Sequence, residues 1–302
     1  MRLPSLVAAL ALSLSLAAAA QSAGPSAPPT PAAVAAHYGA LVHAAYEDTL
    51  AAAKEMQAAI DAFLAAPSAD TLAAARKSWL AARESYGQTE AFRFYGGPID
   101  DDKGPEGRIN AWPLDESYVD AVRGKPGSGL INDPKFRITK ADLGRANERG
   151  GEENVSTGWH AIEFLLWGQD FSETGPGERS FEDFVDGKAP NADRRRAYLK
   201  IVTDLLVSDL EGLTAAWAPG AKNYRAAFVA DPASLTKVIS ALGILSRAEL
   251  AGERIEVALD SQSQEDEHSC FSDNTHRDIV ANALGIRNVW RGEFARADGS
   301  LL

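Results

Sequence analysis

Residues 38–64 read YGALVHAAYEDTLAAAKEMQAAIDAFL, and the spacing of their apolar side chains decides the fold. Tyr38, Leu41, Val42, Tyr46, Leu50, Ala53, Ile60 and Leu64 recur mostly at three- and four-residue steps, which lines them up on one stripe of an α-helix. Ser68-Ala-Asp70 punctuates the chain, and the spacing predicts a second helix from about Thr71 to Phe94, ended by Gly96-Gly97-Pro98. The period returns at Leu199, Val202, Leu206, Leu210, Leu213 and Trp217, which Pro219-Gly220 stops, and again at Leu235, Val238, Ile239, Leu242, Leu245 and Ile255. No segment sustains period-two alternation between hairpin turns, so strands are not needed and the predicted class is all-α. Two long helical pairs suggest a duplicated bundle-like unit, with halves of about 34–170 and 190–302. Between them, residues 97–157 are rich in Gly, Pro, Asn and Asp, and a connection of that kind is usually functional.

Composition narrows the function. The 302 residues are 45% hydrophobic and 24% charged, which excludes a disordered or collagen-like chain. The net charge of −12 argues against a nucleic-acid partner, because such a surface repels phosphate backbones. Met1-Arg2, the apolar run Leu6 to Ala20 and the small residues Ala18-Ala19-Ala20 match a secretory signal peptide over residues 1–20. A Pro/Ala-rich linker over 21–33 follows, and no second apolar run long enough to span a bilayer appears downstream. Cys270 stands alone, so no internal disulfide can form, and a buried thiol is the expected state.

The sharpest local feature is Gly158-Trp-His-Ala-Ile-Glu-Phe-Leu-Leu-Trp-Gly168. His160 and Glu163 stand three apart, so they share one helix face, and apolar residues surround them. A helix apolar all round is buried, and a buried carboxylate needs a partner: a metal ion, an arginine or a shared proton. His-x-x-Glu pairs supply two ligands from one helix in some carboxylate-bridged iron sites, and they are also common as structural pairs. A second stripe holds Trp79, Arg83, Tyr86, Glu90 and Arg93, followed by Asp100-Asp101-Asp102. Asp115 lies among aromatics in Trp112-Pro-Leu-Asp-Glu-Ser-Tyr118. Residues 265–278 carry two histidines and five carboxylates, read here as a solvated or helix-capping segment rather than a cation site. No nucleophile elbow, P-loop, dinucleotide fingerprint or C-x-x-C pair occurs.

Gly158-Trp-His-Ala-Ile-Glu163 resembles the G-x-H-x-x-E motif of the imelysin-like family. The stretches Ile109–Tyr118, Glu152–His160, Trp167–Asp170 and Phe271–Thr275 resemble its iron-regulated protein A branch. The resemblance implies an exported, periplasmic, possible outer-membrane-associated protein of two helical halves that serves iron acquisition with envelope uptake partners. It carries His160 and Glu163 over as metal ligands, with Glu90 and Asp100 as weaker acidic ligands. Arg83, Asp115, Trp112 and Trp159 are the expected surroundings. The expected cargo is iron or a small iron-containing ligand, with zinc and copper as competitors. A metallopeptidase using the same pair, and a metal-free helical binding module with a structural His/Glu pair, stand as the alternatives. The peptidase reading lacks a zincin-type motif. Family members commonly continue beyond the region of Asn288–Gly292, so the second half is expected to be incomplete at Leu302.

Overall fold

The computed structural model describes residues 28–220 and 222–302. The expected signal peptide and most of the expected linker lie outside the described residues. The first helix, α1 (Pro31–Ala65), begins inside the stretch read as linker: Pro31 occupies its first turn and Thr30 caps it by accepting the Ala33 amide at 3.2 Å. A reciprocal Ser68–Thr71 capping box starts α2 (Ala69–Thr89), and a short 3₁₀ turn, Glu90–Phe92, extends it towards the predicted end at Phe94.

The long connection holds three short helices, α3 (Glu106–Asn110), α4 (Glu116–Val119) and α5 (Lys140–Ala146), before α6 (Gly158–Trp167). Then come α7 (Ala192–Trp217), α8 (Tyr224–Ala230) and α9 (Ser234–Ile244). A twelve-residue π-helix, Leu245–Glu256, joins α9 to α10 (Val257–Ser261), and α11 (Thr275–Arg291) completes the order. The described residues contain no β-strand, only two isolated bridges, so the all-α expectation holds.

The stripes read on α1 and α7 are packing surfaces, whereas in the last predicted stripe Val238, Leu242 and Leu245 are buried but Ile239 and Ile255 are exposed. Helix α1 packs along both α2 and α7, and α2 also packs against α11. The α2–α11 crossing is close: a Cβ on Gly87 would stand 2.7 Å from the Ala281 methyl. One hydrophobic cluster runs through helices of both expected halves, from Tyr38 and Val42 through Trp79 and Phe164 to Leu206 and Trp217. Into its middle goes α6, which touches α2, α3 and α7 and has all ten of its residues buried. Among the described residues, no single helix is long and apolar enough to cross a membrane.

Candidate functional site

Helix α6 is fixed at both ends before any polar chemistry is considered. Gly158 has φ +86°, and a Cβ there would overlap the carbonyl oxygens of Arg108 and Ile109 at the end of α3. Only glycine satisfies both demands at once. At the other end, the Arg76 guanidinium donates to the Leu166 carbonyl from Nε at 3.0 Å and Nη2 at 2.8 Å, placing a cation where the helix dipole is negative. Trp79 Nε1 donates to the Trp159 carbonyl at 3.1 Å, and the Trp159 ring packs against Trp79 and Tyr86.

On this clamped helix, His160 and Glu163 are fully buried, with His160 Nδ1 2.9 Å from Glu163 Oε2. The other carboxylate oxygen, Oε1, accepts two hydrogen bonds from Ser272, from its amide at 3.0 Å and its hydroxyl at 2.6 Å. Burial pushes the Glu163 carboxyl up to about 8. Burial, with the neighbouring His268 imidazole and Arg83 guanidinium, holds His160 well below the usual histidine range. The imidazole is therefore neutral at pH 7. Its Nε2 is buried and has no hydrogen-bond partner among the described residues.

Two rings pack against the imidazole. Trp112, half-buried, has its ring centroid 4.9 Å from that of His160, and His268 stands 4.6 Å away with the rings nearly perpendicular. His268 Nδ1 is 2.9 Å from Asp278 Oδ2 in the first turn of α11. Asp278 also accepts the Ser269 hydroxyl at 2.5 Å and pairs with Arg83 Nη2 at 3.0 Å. Burial, then the Arg254 charge, lowers His268 to about 4. The segment 265–278 is thus not the solvated stretch its charge suggested, since His268, Ser269, Ser272 and Asp278 are all buried at the site. Sequence reasoning missed His268, Asp278 and Ser272 as partners of the motif. The one signal was the resemblance of Phe271–Thr275 to the same branch.

Arg83 and Glu90 meet through an amide. Arg83 Nη1 donates to Asn110 Oδ1 at 2.7 Å, and Asn110 Nδ2 donates to Glu90 Oε1 at 2.8 Å. Glu90 does point inward, and Arg93 at 2.7 Å and Arg254 at 3.2 Å take its other oxygen. Burial alone would raise its pKa, but these two guanidiniums outweigh burial and lower it to about 2. Arg254 reaches this point from the π-helix and also binds Glu249 and Asn282.

Asp100 and Asp115 have other employment. Asp100 Oδ1 accepts the Gly97 amide at 2.8 Å and Oδ2 accepts the Phe94 amide, which closes the turn after α2. Asp115 caps α4 by accepting the Ser117 amide at 2.9 Å. The structure therefore brings His160 and Glu163 together, with Trp112 and Arg83 in the same assembly, but not Asp100 or Asp115. Among the described residues, no group of three or more His, Cys, Asp or Glu side chains is placed to close around a metal ion. A cleft of about 330 Å³ is lined by Trp112 and His268 together with Arg93, Arg254 and acidic side chains that include Glu148 and Glu253, while His160 and Glu163 lie behind this lining.

Comparison with known proteins places this architecture. A protein from Synechococcus elongatus named iron-regulated protein A is 28% identical over 266 residues, which are 84% of this chain. The chain spans 62% of that relative's length. A crystal structure of a candidate iron-regulated protein A precursor from Parabacteroides distasonis superposes with a TM-score of 0.64 at 21% identity. It covers 88% of this chain and 76% of its own, a likeness of fold. The family profile described as Imelysin (peptidase M75) matches residues 42–302, all but the first helical turns of the described structure, and the chain belongs to the imelysin family.

Proposed function

We propose that this protein handles iron by binding it, as the bare ion or a small chelate, where Trp112 and His268 of the cleft wall meet His160. The observation that carries the reading is His160. Glu163 occupies its Nδ1, the ring is neutral, and its Nε2 is buried with no partner among the described residues. With an ion in place Glu163 would lose its proton and accept the Nδ1–H, leaving the Nε2 lone pair to the metal, the arrangement by which proteins present histidine to a metal ion. Burying an imidazole nitrogen without a partner costs free energy that an ion would offset. The name of the Synechococcus relative supports iron as the cargo. Imidazole also accepts zinc and copper, so availability and not affinity alone would select iron.

The remaining positions around such an ion would be filled by water or by the oxygens of a small chelate, an arrangement suited to cargo that must later be released. The same proposal puts the protein outside the cytoplasm, working with an envelope uptake partner, on the strength of the Met1–Ala20 pattern. A metallopeptidase would need Glu163 as a ligand or base, and both its oxygens are already engaged by His160 and Ser272.

The test is metal content by mass spectrometry after anaerobic ferrous loading and desalting, on wild type, His160→Ala and Glu163→Ala. The expected result is near-stoichiometric iron in the wild type and loss of most of it in His160→Ala. Negligible or equal iron in all three proteins would overturn the proposal.

A further inference from the structure

We propose that His268 is the second protein ligand of this site, so that the ion sits between two imidazoles while Glu163 and Asp278 act from behind as orienting carboxylates. This deepens the iron-binding reading and rests on His160 being a ligand.

Two independent observations converge on it. First, His268 resembles His160 from another part of the chain: its Nδ1 is 2.9 Å from a buried carboxylate, Asp278, with Arg83 Nη2 farther off at 3.4 Å. Each carboxylate is in turn fixed by a serine, Glu163 by Ser272 and Asp278 by Ser269. Two histidines oriented in the same way, by two carboxylates each held by a serine hydroxyl, match the outer-shell pattern of metal-binding imidazoles. Second, the rings are in contact, with centroids 4.6 Å apart. Imidazoles bound to one ion through nitrogens at ~2.1 Å have centroids roughly 4.6–5.3 Å apart for angles between ~90° and ~109°. The observed separation meets the lower edge of that range, the one for an angle near 90°.

His160 Nε2 is the unpartnered buried atom that makes this a site and not merely a packed pair. Asp278 is committed to Arg83, and Glu90 to Arg93 and Arg254, so these two carboxylates are balanced by guanidiniums and are not free to bind a cation. The rim of the cleft adds Glu148, Glu152 and Glu253. A two-imidazole set with no third protein ligand takes a divalent ion of the first transition series and leaves it open to exogenous oxygen ligands.

The probe is one equivalent of Cu²⁺, the tightest-binding divalent ion for nitrogen ligands. The number of bound imidazoles is counted by electron spin-echo envelope modulation. The background variant His37→Gln/His43→Gln/His276→Gln leaves His160 and His268 as the chain's last two histidines. Two equatorial imidazoles are expected in this background, falling to one when His268→Gln is added and to one when His160→Gln is added. The count in the background stands even if an added variant does not fold. A single imidazole in the background, lost with His160→Gln and retained with His268→Gln, overturns the role of His268 and leaves His160 as a ligand. No imidazole-bound copper in the background overturns both readings.

Discussion

Asp278 is the keystone between α11, His268 and α2, and neutralising it should cost more than any surface change of charge. In Asp278→Asn the side chain keeps its shape, but the Arg83 guanidinium, 1% exposed, loses the one carboxylate directly paired with it among the described residues. Removing one partner of a buried pair typically costs about 3–5 kcal/mol. Arg83 keeps a neutral bond to Asn110 and lies over the rings of Tyr86, Trp79 and Trp159 at 5.3–5.7 Å, which offsets part of that loss. The expected destabilisation is therefore near the lower bound, about 3 kcal/mol, or a fall in Tm of roughly 6–12 °C for a chain of this size. Urea denaturation followed by far-ultraviolet circular dichroism measures it. A double-mutant cycle with Arg83→Met isolates the pair, because the apolar side chain no longer requires a counter-charge. In the double variant at least about half of the single-variant loss should be recovered as coupling. Single-variant losses below about 1 kcal/mol, or two losses that simply add, would refute the view that this pair holds the site together.

Two further outcomes follow from the same geometry. Glu90 has its folded pKa depressed to about 2, so the stability it contributes is present above the usual carboxylate range and is lost as pH falls from about 4.5 towards 2. Wild type should lose roughly 3 kcal/mol more than Glu90→Gln across that interval in parallel urea titrations, and equal acid sensitivity would contradict the arginine clamp. Gly158→Ala forces a left-handed backbone and a carbonyl overlap with α3, so it should destabilise by at least ~2 kcal/mol and weaken iron retention as α6 shifts. A Tm within about 2 °C of wild type would show that α6 is not pinned there.

The long helices were legible because their signals are local and repeated. The stripe from Tyr38 to Leu64 and the stripe from Leu199 to Trp217 became α1 and α7, and Ser68 and Pro219-Gly220 mark ends that chemistry dictates. The burial of His160 and Glu163 was legible for the same reason: apolar neighbours all round a helix leave no wet face. The π-helix over Leu245–Glu256 was not, since a widened turn leaves nearly the same apolar spacing as an α-helix. Nor was the partner of the motif. His268 and Asp278 sit in a stretch whose acidity reads as surface, and the buried charge of Asp278 is compensated by Arg83, 195 residues away in sequence. Glu90 and Asp100 illustrate the converse. Both carry ligand-type oxygens, but two arginines claim one and two backbone amides claim the other.

The complete enclosure of α6 bears on how this family's signature should be used to sort its members. Position 158 is dictated by a neighbouring backbone, and residues 159 to 167 each fill core space, so the segment resists substitution whether or not any ion is ever bound. Packing alone would hold a lineage to most of G-x-H-x-x-E. Functional divergence should therefore be sought away from the signature, in whether a chain retains a histidine at the position of His268 and an aspartate at that of Asp278. Paired loss of those two would mark a member that has kept the scaffold and changed its trade.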